Sequence, residues 1–203
     1  MGPLTEGDDD GNTPLDADAI RGLMPVWVAT RADLNEVEAE NVASGYAWLR
    51  RTRPTIPVQL TVGFVSELHR RLFGDVWRWA GKYRTKDLNI GNDWHAITAA
   101  VKQLTDDFVY RLDETRRPTE AEAIDEACVD YHFRMVSIHP YLNGNGRHAR
   151  ASADALAAAL GQPAFTWGSR SIVEPSKTRT DYIAALRAAE RGDLAPITAF
   201  ARS

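Results

Sequence analysis

The sequence predicts a mostly α-helical domain with one small β-hairpin, and three observations carry that expectation. Apolar residues recur at three- and four-residue spacing over most of the chain beyond residue 33. Pro54, Pro140, Gly161 and Gly192 stand where such stretches should end. At Gly91-Asn92-Asp93, turn residues separate two short runs of alternating apolar character, the signal of a hairpin.

The elements follow in order. Met1 to about Ala19 is rich in Gly, Asp, Thr and Pro and reads as a tail, with a lead-in to residue 32. Its Asp8-Asp9-Asp10-Gly11-Asn12 run suggests a calcium loop, but with Gly11 as the sixth loop position the twelfth is Ala17. That position requires a bidentate carboxylate, so a solvated acidic turn is the expectation. From Asp33, the positions Leu34, Val37, Asn41, Val42, Gly45, Trp48 and Leu49 set a helix that ends before Pro54. A second helix runs from Thr61 to Phe73, with Val62, Val65, Leu68, Leu72 and Phe73 on its apolar side. The hairpin is expected over residues 84–97. Helices are then expected at Thr98–Asp113, Glu120–Ser137, Arg147–Leu160 and Lys177–Glu190, with a short one from Pro196.

Bulk properties exclude several function classes. A chain of 203 residues can bury a sizeable core, and 26% charged residues is ordinary for a globular protein. A net charge of -4 argues against a general nucleic-acid binder, so no direct nucleic-acid partner is expected. The single cysteine, Cys128, cannot form an internal disulfide and falls in an apolar helical pattern, as expected of a core residue in a reducing cytoplasm. No apolar run reaches the roughly 18 residues of a membrane span, and no signal peptide is visible, so cytoplasmic action away from membranes is expected.

The chemistry concentrates between His139 and Arg150. Pro140 should end the preceding helix near His139, and Gly144-Asn145-Gly146 then opens an Ala-rich helix. A glycine-rich turn at a helix start exposes backbone N–H groups on the positive end of the helix dipole, which forms an anion cradle. Arg147 and Arg150 are three apart and share a face near that end, where basic residues oppose the dipole. A bound polyphosphate reverses that cost. A neutral His139 at the mouth of the cradle could take the proton of an attacking hydroxyl. The residues therefore point to nucleotidyl or phosphoryl transfer, with positioning and charge stabilisation carrying most of the catalysis.

The run His139-Pro140-Tyr141-Leu142-Asn143-Gly144-Asn145-Gly146-Arg147-His148-Ala149-Arg150 resembles the motif of the Fic (filamentation induced by cyclic AMP) family, His-Pro-Phe-x-(Asp/Glu)-Gly-Asn-Gly-Arg-x-x-Arg. Tyr141 stands where that family usually has Phe. The similarity extends over roughly residues 33 to 200, within a domain expected over 33–203, and includes the stretch from Leu68 to Arg84 and the closing segments at Tyr182–Leu186 and Gly192–Ile197. The tail residues Asp10 to Asp16, with Asn143 to His148, resemble the branch called mobile mystery protein B, whose members are often encoded beside a helix-turn-helix companion.

The resemblance implies a helical bundle with a hairpin flap, and transfer of AMP from ATP, with Mg²⁺, to a Tyr, Thr or Ser hydroxyl of a protein target. By position, it implies His139 as general base and Gly144, Asn145 and Gly146 as the anion hole. Arg147 would contact the phosphates and Arg150 would hold the γ-phosphate. Leu88, Asn89, Ile90 and Ile97 would align the target by strand-like pairing. Related folds move a phosphate or a different nucleotide. A catalytically weak binding module in a toxin–antitoxin-like pair is the alternative from a different class.

Two departures bear on activity. Asn143 occupies the place of the usual acidic magnesium ligand and brings no formal charge to the ion. Many relatives also carry an inhibitory (Ser/Thr)-x-x-x-Glu-(Gly/Asn) helix, whose Glu pairs with the motif's second arginine. Within residues 33–50, Glu40-Asn41 matches the end of that pattern, while Glu36 occupies its Ser/Thr position. Glu40 is thus the candidate inhibitory residue for Arg150, against the alternative that it lies on a solvated helix face. His132 and the tryptophans Trp77, Trp79 and Trp94 are expected to pack. His148 is a candidate assistant to the site, and Tyr182 suits either an adenine pocket or the core.

Overall fold

A computed structural model describes residues 17–169 and 175–203. The acidic run of the tail lies outside them. Nine α-helices follow in order among the described residues: α1 (Ala17–Ile20), α2 (Arg31–Thr52), α3 (Ile56–Gln59), α4 (Val62–Phe73), α5 (Ile97–Arg111), α6 (Ala121–Ile138), α7 (Asn145–Ala159), α8 (Pro175–Glu190) and α9 (Ala195–Arg202). A 3₁₀ turn, Trp94–Ala96, leads into α5. None of these helices is long and apolar enough to cross a membrane.

Two apolar cores share one central helix. The larger joins α5, α6, α7 and α9 through residues such as Val101, Phe108, Met135, Leu156 and Ile197. The smaller joins α2 and α4 through Leu34, Leu49, Leu68 and Leu72. Helix α7 serves both: Ala149, Ala153 and Ala157 face the first, and Ala151 and Ala155 the second. Alanine, the best helix former, also lets neighbours approach from both sides, which explains the composition of this element. Helices α2 and α4 approach just as closely at Gly45, where a Cβ would sit 2.7 Å from the Leu72 side chain.

Helix α2 starts two residues earlier than the sequence suggests. Thr30 and Asp33 form a capping box: Asp33 Oδ2 accepts the Thr30 N–H at 2.8 Å, and Thr30 Oγ1 accepts the Asp33 N–H at 3.2 Å. The lead-in is packed against the rest. Ala19 and Val28 are buried in the smaller core, and Leu23 bridges Trp77. Cys128 is fully buried as expected, and burial pushes its thiol up to about 12.

The hairpin expected over residues 84–97 does not form; the described residues contain no strand beyond the isolated Leu23–Trp77 bridge. The reason lies in where the backbone groups find partners. The Asn92 N–H donates to the Ile138 carbonyl at 3.2 Å, and the Arg84 N–H to the Pro140 carbonyl at 2.9 Å. Arg84 also donates to the carbonyls of Lys86 and Asn92. Side-chain and inter-segment bonds thus replace a cross-strand ladder, and the segment is a clamped loop.

Candidate active site

His139 caps α6 in the left-handed region, with φ 53 and ψ 59. A non-glycine residue there costs about 1 kcal/mol or more and persists only where its surroundings enforce it. The turn throws the chain from α6 into α7 and leaves His139 buried, at 7% exposure. Its pKa is lowered to about 4, chiefly by burial and with help from the neighbouring Arg84 charge, against a bond to the Val136 backbone that raises it. His139 is therefore neutral at neutral pH. With one ring nitrogen donating to Val136, the other is the proton acceptor.

The loop between the two helices is built around His69 of α4. The His69 ring stacks on Tyr141 with centroids 3.6 Å apart. Its Nδ1 accepts the Gly81 N–H at 3.0 Å, so its Nε2 carries the proton and donates to the Asn143 carbonyl at 3.1 Å. Tyr141 is fully buried, and its hydroxyl, the atom a Phe would lack, donates to the Val65 carbonyl at 3.0 Å. Asn145 closes the loop from within. Its side chain accepts the Tyr141 N–H at 2.9 Å and donates to the Tyr141 carbonyl at 2.8 Å. The anion-hole contribution open to Asn145 is therefore its backbone amide.

Gly144 is the N-cap of α7, at φ 79, and a Cβ there would lie 2.6 Å from the Phe73 ring. Both the conformation and the contact require glycine. The first intrahelical bond runs from the His148 N–H to the Gly144 carbonyl, so the amides of Asn145, Gly146 and Arg147 precede the helical ladder. A Cβ on Gly146 would meet nothing closer than the Tyr182 hydroxyl at 3.8 Å, which leaves this side of the turn open. The geometry is that of an anion cradle at a helix start, with a neutral imidazole on the segment leading into it.

Residues 59–157 match the Fic/DOC family. Over this stretch, just under half of its length, the chain is similar to a Fic domain. Among known proteins, it is 28% identical over 143 residues to the protein adenylyltransferase fic-1 of Caenorhabditis elegans, covering 70% of this chain and 26% of that one. It is 25% identical over 150 residues to the protein adenylyltransferase VbhT of Bartonella schoenbuchensis, covering 71% of this chain and 30% of that one. The chain thus spans under a third of these relatives' lengths. The fold is shared with BepC of Bartonella tribocorum, solved with bound AMPPNP, at a TM-score of 0.63 and 19% identity over 84% of this chain and 85% of that one.

The two arginines at the start of α7, Arg147 and Arg150, have different surroundings. Arg147 lies over the Phe73 ring, with its guanidinium carbon 4.7 Å from the centroid. Its Nη2 is 2.7 Å from Glu38 Oε2. Arg150 lies over Tyr182 at 5.6 Å, and Tyr182 in turn bonds His132 at 3.0 Å. Burial with Arg150 nearby depresses His132 to about 3. Tyr182 therefore touches both the core histidine and the motif.

Several sequence expectations are corrected. Glu40 is exposed on α2; the carboxylate of that helix that reaches the motif is Glu38, and it meets the first arginine, Arg147. Glu38 is buried and also accepts the Trp77 Nε1–H at 2.6 Å. Its position was visible in the sequence, since Glu38 falls on the buried stripe of Leu34, Asn41 and Gly45, whereas Glu40 does not. Ile97 cannot dock a target, because it is fully buried in the larger core at the start of α5. Ile90 (47% exposed) and Asn89 are exposed, and Leu88 is half-buried. His148 is fully buried with Nε2 on the Val65 carbonyl at 3.0 Å, which makes it a support for α4 and α7.

The residues do not fit a protein-held magnesium ion. Asn143 offers a single neutral oxygen, and that oxygen already accepts the Gly144 N–H. Among the described residues, no group of three or more His, Cys, Asp or Glu side chains could hold a metal. His69, Arg84 and Glu38 are the site-building residues that sequence reasoning passed over. Arg84 and His69 carried no signal beyond lying in the stretch that resembles the family.

Proposed function

We propose that this chain transfers AMP from ATP to a Tyr, Thr or Ser hydroxyl of a protein target. The observation that carries the reading is a neutral, buried His139 delivered by a left-handed turn to the open start of α7, which bears Arg147 and Arg150. The adenylyltransferase relatives and the AMPPNP in BepC support the choice of substrate.

In the step itself, the target hydroxyl oxygen attacks the α-phosphorus, and its proton passes to the acceptor nitrogen of His139. The bond from the α-phosphorus to the bridging oxygen breaks, and pyrophosphate leaves with that electron pair. The amides of Asn145, Gly146 and Arg147, which open α7 after the Gly144 turn, stabilise charge on the α-phosphate oxygens, and Arg147 and Arg150 hold the leaving phosphates with their side chains. Preorganised donors of this kind cost no reorganisation during the reaction. Leu88, Asn89 and Ile90 would align the target segment through their exposed backbone. Magnesium would enter with ATP, held by the phosphates, as Asn143 adds little to it. A helix-turn-helix companion and a cytoplasmic setting belong to the same reading.

Separate incubations with α-labelled and γ-labelled ATP test it. Protein labelled from the α position, and lost in His139→Ala, is the expected result. Label from the γ position alone means phosphate transfer. A binding module gives no label in either reaction, and co-purification with a companion protein would then be its mark.

A further inference from the structure

We infer that Arg84 is a positioning residue that fastens the target-aligning loop onto the catalytic base. The inference rests on the adenylyltransferase reading for its consequence, but on geometry for its substance.

The Arg84 side chain is fully enclosed, and its nearest carboxylate, Asp87, is 63% exposed and 3.7 Å away. Its donors go to three backbone carbonyls. Nε donates to His139 at 2.8 Å, Nη1 to Lys86 at 2.8 Å, and Nη2 to Asn92. Two of these acceptors lie on opposite arms of the loop that carries Leu88–Ile90, and the third belongs to the base itself. The Arg84 N–H adds a bond to Pro140, and the Asn92 N–H one to Ile138, so the loop is tied to all three residues from Ile138 to Pro140. A planar guanidinium with five donors in a fixed fork can span such a set, and a lysine ammonium cannot.

Gly91 provides the second, independent observation. It adopts φ +95, and a Cβ there would lie 2.5 Å from the His139 Cβ and 3.0 Å from Arg84 Nη2. The loop backbone therefore rests directly on the stem of the base with no side chain between them. His139 is itself in a left-handed conformation that its neighbours must enforce. A loop that merely needed closing could be stapled anywhere along its arms. This one is stapled to the carbonyl of His139 and laid on its Cβ, so a target strand registered on Leu88–Ile90 is registered on the imidazole as well. Neither Arg84 nor Gly91 has a bond to the first turn of α7, so nucleotide binding should not depend on them.

The test uses the full chain as wild type, Arg84→Gln, Arg84→Lys and Gly91→Ala. Four readouts are taken: affinity for a non-hydrolysable ATP analogue, exchange of the Asn92 amide, the His139 ring signals by NMR, and transfer of labelled AMP onto the protein itself. Both Arg84 variants should bind the analogue within twofold of wild type. Asn92 exchange should accelerate tenfold or more, the His139 signals should shift, and kcat should fall at least tenfold at unchanged KM for ATP. Arg84→Lys should not rescue, while millimolar methylguanidinium should partly restore transfer to Arg84→Gln. Gly91→Ala should shift the His139 signals with Arg84 intact. Unchanged Asn92 exchange and His139 signals in Arg84→Gln would overturn the inference, as would analogue binding lost in step with transfer. If wild type transfers no AMP, the functional reading falls, and the exchange and ring signals still decide whether Arg84 couples loop and base.

Discussion

Replacing Glu38 by Gln should weaken the fold and strengthen nucleotide binding, two effects of opposite sign from one atom. The side chain is buried between Trp77 Nε1, at 2.6 Å, and Arg147 Nη2, at 2.7 Å. Glutamine keeps the shape and can still accept from Trp77, so the change isolates the charge facing Arg147. A hydrogen bond to a charged group contributes about 1.5–3 kcal/mol net, and the lower end applies because Arg147 is 31% exposed. Stability should fall by about 1.5 kcal/mol, which for a domain of this size lowers Tm by roughly 3–6 °C. A polyphosphate binding to wild type must compete with Glu38 for Arg147 and accept a carboxylate close by. Removing that competition should tighten ATP binding by about tenfold, the equivalent of about 1.4 kcal/mol. Calorimetric titration with ATP and thermal unfolding in one buffer read both effects, with Glu40→Gln as the control on an exposed position of the same helix. If Glu38→Gln weakens ATP binding along with stability, or if Glu40→Gln matches its gain, the assignment of Glu38 as competitor for Arg147 is wrong.

Acid should destabilise the protein through its buried histidines. Burial depresses His132 to about 3 and His139 and His148 to about 4, and holds His69 well below its usual value. The native imidazoles stay neutral while unfolded ones protonate below about 6.5, so the unfolded chain binds more protons and stability falls as pH drops from about 6.5 towards 4. Unfolding at pH 5 should take up about four protons from these groups, measurable by the slope of stability against pH; a flat profile refutes their burial as neutral species. Ile97→Ala should cost about 2–4 kcal/mol in chemical unfolding, while Ile90→Ser leaves stability within about 0.5 kcal/mol and reduces modification of a protein target. A small loss at Ile97 would return that residue to the docking surface. Asn143→Asp should raise AMP transfer at limiting magnesium, and a magnesium titration identical to wild type would show that the missing charge does not limit the reaction.

Most helices of this domain were legible because each buries one stripe at helical spacing, and that periodicity is local. The motif from His139 to Arg150 was legible for a similar reason: a residue before proline, a glycine turn and two arginines one turn apart need only neighbours in sequence to predict an anion cradle. What the chain could not disclose locally was decided by contacts between distant segments. Turn residues at 91–93 promised a hairpin, yet a buried Arg84 and the carbonyls of residues 138 and 140 took the backbone groups a ladder would have used. The pattern ending in Glu40-Asn41 pointed to Glu40, but the crossing of α2 over α4 and α7 turned Glu38 inward and left Glu40 in solvent. Sequence alone set the glycine turn, the histidine before it and the two arginines after it, because helix starts and motif spacing are properties of a few adjacent residues. Tertiary structure alone decided which carboxylate meets Arg147 and what holds His139 in place, because burial and hydrogen-bond competition depend on residues tens of positions apart.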